Sequence, residues 1–159
     1  MIIRALIVFC TLLLAACAST GSITKVQLER SPCPRGTCPA YSLEVSKDGS
    51  VNYQGSSNVK VTGSASGSIS QDDWKLLKTA VQNTRFFSME DRLGKNSEGC
   101  TTLVNHHPTI KISVTRGHNT KQVAFYTGCW GLSSGKLLAW LANTTDMVTD
   151  STKWTHEQL

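Results

Sequence analysis

The sequence predicts an α+β fold: an antiparallel sheet of two or more hairpins with two helices packed on one face. Two pairs of segments, 41–46 with 51–53 and 110–114 with 123–125, alternate apolar and polar residues across short turns. Two longer segments repeat their apolar residues at helical spacing, one after each group of strands. A period of two marks half-buried strands and a period near 3.6 marks amphipathic helices. The order strands, helix, strands, helix then leaves the helices to cover one sheet face. With 159 residues, 40% hydrophobic and 17% charged, the chain suits a single domain with its own core and is too apolar for a disordered tail.

The elements follow in order. Residues 23–28 form a first strand in which Ile23, Val26 and Leu28 are apolar but alternate imperfectly. Tyr41, Leu43 and Val45 alternate with Ser42, Glu44 and Ser46, and Val51 and Tyr53 alternate after Lys47-Asp48-Gly49-Ser50. A two-residue Asp48-Gly49 turn would mix apolar and polar faces, whereas a three-residue loop 47–49 pairs Val45 with Val51 and Leu43 with Tyr53. Residues 59–69 read as one further strand, thinly covered because Gly63, Ala65 and Gly67 occupy its inner positions. Ser70-Gln71-Asp72-Asp73 resembles a capping box opening a helix whose stripe is Trp74, Leu77 and Val81, flanked by Leu76 and Ala80 and followed by Phe86 and Phe87. Residues 91–107 are polar and irregular, the longest loop. In the second hairpin a turn at His118-Asn119 pairs Val114 with Val123 and Ile112 with Phe125. Ser133 or Ser134 is expected to cap a second helix carrying Leu137, Leu138, Trp140 and Leu141, and 149–159 is a polar tail apart from Trp154.

Residues 1–16, MIIRALIVFCTLLLAA, place one Arg, an apolar run and small residues in the order of a secretory signal. The run is too short to span a bilayer as a helix, which takes about 20 residues. It ends in Leu14-Ala15-Ala16-Cys17, which closely resembles the lipobox of bacterial lipoproteins. That resemblance implies a diacylglycerol on the Cys17 sulfur, cleavage before Cys17, and an acylated new amine. Ala18 follows, where lipoproteins kept at the inner membrane typically carry Asp, so the outer membrane, facing the periplasm, is expected. Residues 17–22 are then lipidated Cys and tether, and 23–159 the domain.

With Cys10 removed and Cys17 lipidated, Cys33, Cys38, Cys100 and Cys129 remain. An even number in an exported chain implies two disulfides with three possible connectivities. Proximity favours Cys33–Cys38 and Cys100–Cys129, and the chain-entropy estimate gives about 2 and about 3.5 kcal/mol respectively. Cys33 and Cys38 are separated by four residues and no CxxC occurs, so a thioredoxin-like role has no motif.

The stretch from Cys33-Pro34-Arg35-Gly36-Thr37-Cys38-Pro39-Ala40-Tyr41-Ser42-Leu43 through Asp48-Gly49-Ser50-Val51-Asn52-Tyr53-Gln54-Gly55 resembles a bacterial family catalogued as domain of unknown function 6438. The Phe86-Phe87 pair after the first helix and the strand opened by Pro108-Thr109 follow the same pattern, which covers roughly residues 23–141. Family members often carry Asp just before that Pro-Thr step, where this chain has Asn105-His106-His107. The resemblance implies fold and location and carries no activity.

Little catalytic chemistry is legible. His106 and His107 would point to opposite faces of a strand, no HxxxH spacing occurs, Ser133-Ser134-Gly135 lacks a GxSxG frame, and there is no phosphate-binding glycine loop. No catalytic, cofactor or metal residue is therefore expected. A net charge of +5 is scattered without basic runs, which excludes a dedicated nucleic-acid binder. Arg35, at the tip of the small disulfide ring, and Tyr41 beside it are the candidate partner-binding residues. Three functions follow as expectations: a lipid-anchored module binding an envelope protein or component, an inhibitor of an extracellular lysozyme-like hydrolase, and an enzyme.

Overall fold

The computed structural model describes residues 21–34 and 36–156. Strands β1 (Ile23–Arg30), β2 (Ala40–Ser46), β3 (Ser50–Ser57) and β4 (Gly63–Ser68) form a meander. Helix α1 (Gln71–Asn83) and a 3-10 turn (Phe86–Ser88) carry the chain back across the sheet. After the two-residue strands β5 (Arg92–Leu93) and β6 (Thr102–Leu103), the hairpin β7 (Thr109–Arg116) and β8 (Asn119–Tyr126) sets β7 beside β1. Strand β9 (Cys129–Trp130), helix α2 (Ser133–Thr149) and the short α3 (Thr152–Thr155) complete the fold. The main sheet has seven strands in the order β4-β3-β2-β1-β7-β8-β5, and β6 pairs β9 separately. Its pairs are antiparallel except β5 with β8, which is parallel. This is the α+β class that the alternating and helical segments predict.

Helices α1 and α2 cover one face. Trp74, Leu77, Ala80 and Val81 from α1 and Leu138, Leu141 and Ala142 from α2 meet Val26, Leu28, Leu43, Val45, Ile112, Val114 and Val123 in one core. The capping box is formed: the Asp73 N–H donates to Ser70 Oγ at 3.1 Å and the Ser70 N–H to Asp73 Oδ2 at 3.3 Å. The β2–β3 register pairs Val45 with Val51 and Leu43 with Tyr53, as face consistency requires. Gly49 at φ +88° supplies the left-handed residue of that turn. The broken alternation of β1 is a bulge: between Ile23 and Lys25 the pairing with β7 shifts, so Thr24 is extra and both Ile23 and Val26 turn inward.

Four sequence expectations are corrected. The β7–β8 register is displaced by two residues, with Val114 opposite Lys121, Ile112 opposite Val123 and Ile110 opposite Phe125. The turn is Gly117-His118, with Gly117 at φ +60°, the backbone that the first position of a II′ turn demands. A shift of two keeps every side chain on its face, so alternation alone does not distinguish the registers. Next, α2 is not capped by Ser133 or Ser134. Buried Leu132 takes the N-cap position, and its carbonyl accepts from Lys136. The buried stripe of α2 is Leu138, Leu141, Ala142 and Thr145, while Leu137 and Trp140 face outward at 42% and 46% exposure.

The strand expected over 59–69 is confined to Gly63–Ser68, with Asn58 at φ +52° turning the chain ahead of it. In the tail, the apolar Trp154 is buried in α3. The short β4 and the buried tail residue share a cause. Trp154 lies against thin β4, where a Cβ on Gly67 would come 3.2 Å from the indole, and it stacks on Tyr53 at 5.0 Å between centroids. The Val61 N–H donates to the Trp154 carbonyl, locking the β3–β4 connection to the tail.

Candidate functional site

Because both helices lie on one side, the other face of the sheet is left open. Alternation fills it with the polar set Gln27, Glu29, Ser42, Glu44, Asn52, Gln54, Ser64, Lys111, Ser113 and Gln122, which lines a depression of about 500 Å³. These side chains are paired across strands. Gln27 Nε2 donates to Glu44 Oε2 at 2.7 Å, Ser64 Oγ to Gln54 Oε1 at 2.7 Å and Ser113 Oγ to Gln122 Oε1 at 3.3 Å. Two ion pairs, Lys25 with Glu44 at 3.0 Å and Lys111 with Glu29 at 2.8 Å, neutralise the face locally. The hydrogen bond from Lys25 holds the Glu44 carboxyl below its usual range, against a smaller opposing effect of burial, with Gln27 adding to the depression. Such a surface offers donors and acceptors in both senses but no net charge.

A tighter polar cluster stands on the opposite, covered face, where the ends of β1 and β2 meet α2. Asp146 Oδ2 accepts from Arg30 Nε at 2.9 Å and Nη2 at 2.6 Å, while Oδ1 accepts from the Tyr41 hydroxyl at 2.7 Å and Ser151 Oγ at 2.9 Å. Arg30 Nη2 also reaches Asn143 Oδ1 at 2.9 Å. Burial disfavours the charged guanidinium, but the Asp146 carboxylate and then Tyr41 outweigh it and raise the Arg30 pKa. For Tyr41, burial first and the Asp146 charge second push the phenol well above its ordinary value, so it stays a donor. Every oxygen of Asp146 is committed within the protein, and the cluster reads as a clamp between sheet and helix.

The expected site residues fall as follows. Cys33 is bonded to Cys38 and Cys100 to Cys129, each pair 5.4 Å apart at Cα. The first bond closes a ring in the connection from β1 to β2, the second ties the long loop to β9. Tyr41 is turned inward onto Asp146, with 6% of its surface exposed. Cys17 and Arg35 lie outside the described residues. His106, at φ +67°, and His118 are exposed and His107 is half-buried. Among the described residues no three His, Cys, Asp or Glu side chains converge to hold a metal. Among them, too, no helix is long and apolar enough to cross a membrane.

Sequence reasoning did not find Arg30 and Asp146, which are 116 positions apart, nor the open face as a unit. A signal for the second existed: the residues between the apolar positions of β1, β2, β3 and β7 are all amides, hydroxyls or charges, and the topology sets them side by side. None of the curated proteins matches the chain. Residues 24–156 match the domain of unknown function DUF6438, and the chain belongs to that family.

Proposed function

We propose that the protein is a lipid-anchored module of the bacterial envelope that binds a neutral, hydroxyl-rich polymer, a cell-wall glycan strand, across the open sheet face. Support for the anchor comes from the leader and Leu14-Ala15-Ala16-Cys17; support for a binding role comes from the depression of about 500 Å³ on the open face. Its lining of paired amides, hydroxyls and locally neutralised charges suits a ligand that exchanges hydrogen bonds and carries no net charge. Hydrogen bonds to such a face are individually modest, about 0.5–1.5 kcal/mol net. Holding the module at the membrane raises its effective concentration against the wall, so weak single contacts suffice.

The test is retention of the full chain on insoluble wall sacculi. Retention is expected for the natural chain and loss for Asn52→Leu with Gln54→Leu, two exposed positions whose exchange leaves the thermal midpoint in place. Equal retention of both proteins overturns the glycan reading. A second reading, an inhibitor of a lysozyme-like hydrolase, draws on the Cys33–Cys38 ring in the connection from β1 to β2. Capture of such a hydrolase, lost on Arg35→Glu, would replace the first.

A further inference from the structure

A different surface lies where the chain enters the domain. Gly21, Ser22 and Ile23 run beside the β7–β8 turn, with the Gly117 N–H donating to the Ser22 carbonyl. Between them, the second half of α1 and the 3-10 turn lies a cleft of about 610 Å³. Three cations border it, Lys78 from α1, Arg85 before the 3-10 turn and Arg116 at the end of β7, and its lining contains no carboxylate. The carboxylates that pair Lys25, Arg30, Lys111 and Lys121 are all elsewhere. Arg116 lies on the Phe87 ring with its guanidinium carbon 3.8 Å from the centroid, and its Nε is buried without a hydrogen-bond partner. A buried donor left unpaired is costly, and an anion in the cleft would supply the missing acceptor. Arg85 is held in the left-handed region at φ +52°, uncommon for a residue with a side chain. The floor, Val81, Phe86 and Phe87, is apolar. Cation rim, apolar floor and absent acids describe a receptor for an amphipathic anion.

We propose that this cleft holds the phosphate of an anionic phospholipid in the leaflet that carries the anchor, so that the domain rests on the membrane with this end down. The inference builds on the lipid-anchored reading, because only four positions separate Cys17 from Gly21. At no more than about 3.6 Å per residue, that tether keeps the entry point within about 15 Å of the acylated residue. The entry point is the rim of the cleft, so the three cations face the headgroups whenever the anchor is inserted. Each basic side chain at an anionic surface contributes about 1 kcal/mol, roughly a fivefold gain in contact.

The experiment uses the full acylated chain inserted in phosphatidylglycerol or phosphatidylcholine vesicles, with amide exchange followed over 81–88 and 116–118. The anchor holds the protein on both surfaces, so association alone decides nothing. Exchange slowed about fivefold or more on phosphatidylglycerol only, and restored to the phosphatidylcholine rate by Lys78→Gln with Arg85→Gln, supports the proposal. Equal exchange on both vesicles overturns it. So does equal protection by inorganic phosphate added to phosphatidylcholine vesicles, which would make the cleft a free-phosphate site. The mass of the peptide containing Cys17 separates the two readings. If that residue is unmodified, the anchor fails, while protection on phosphatidylglycerol from solution still supports the cleft and its absence still overturns it.

Discussion

Leu28 and Gln27 adjoin on β1 and point to opposite faces of the sheet. Leu28 is fully buried, flanked in register by Leu43 on β2 and Ile112 on β7. Gln27 is exposed and donates to Glu44 across the same strand pair. The covered face is defined by volume, since its side chains fill a closed space against α1 and α2. The open face is defined by pairing, since its side chains answer one another in water. The first specifies the fold and tolerates little change; the second is free to carry recognition because the fold does not depend on it.

The largest break in that comparison is expected from Leu28→Ala. Deleting a fully buried leucine loses transfer free energy and leaves a cavity at the centre of a seven-stranded sheet, a cost of about 2–5 kcal/mol. Urea unfolding reads it as a lower midpoint with unchanged slope. A cost below about 1 kcal/mol would show that α1 and α2 collapse onto the vacancy and that the covered face is looser than its burial suggests.

Asp146→Ala tests the boundary between the two regimes, where a polar cluster performs the packing work of the core. The change leaves the Arg30 guanidinium, the Tyr41 hydroxyl and Ser151 without their shared acceptor. Side-chain exposures of 22% and 19% for Arg30 and Asp146 let water replace part of it, so the expected loss is about 1–3 kcal/mol, below that of Leu28→Ala. Tyr41→Phe in the Asp146→Ala background should then cost little more, and full additivity would show that the two do not act as one unit.

The same two regimes explain what the sequence reveals. Apolar alternation marks the covered face strand by strand, and in β2–β3 the three-residue loop 47–49, with Gly49 at φ +88°, fixes the register as well. In β7–β8 alternation admits two registers that differ by two residues and bury the same side chains; Gly117, through its positive φ, selects between them. Thr24 shows alternation broken for a physical reason, a bulge, and not for want of a strand. The ties missing from a local reading are those between distant segments. Arg30 to Asp146 and Trp154 onto Tyr53 and β4 depend on where α2 and α3 come to rest, which no short-range pattern encodes.

The smallest expected effect belongs to the open face and sharpens the contrast most. The Glu44 carboxyl is held below its usual pKa chiefly by the hydrogen bond from Lys25, so the folded protein binds its proton less readily than the unfolded chain. The resulting stability is therefore fully present above the unfolded value of about 4.3 and is lost as pH falls through the lower folded value. Lys25 and Glu44 are 38% and 27% exposed at their side chains, and solvent screening limits such a pair to a few tenths of a kcal/mol. Glu44→Gln should leave the unfolding midpoint at pH 7 nearly unchanged and flatten its fall below about pH 4.3, an effect that shrinks further in added salt. A loss at pH 7 comparable to that of Asp146→Ala would mean that the open face holds the sheet together after all, and the division of labour between the two faces would not stand.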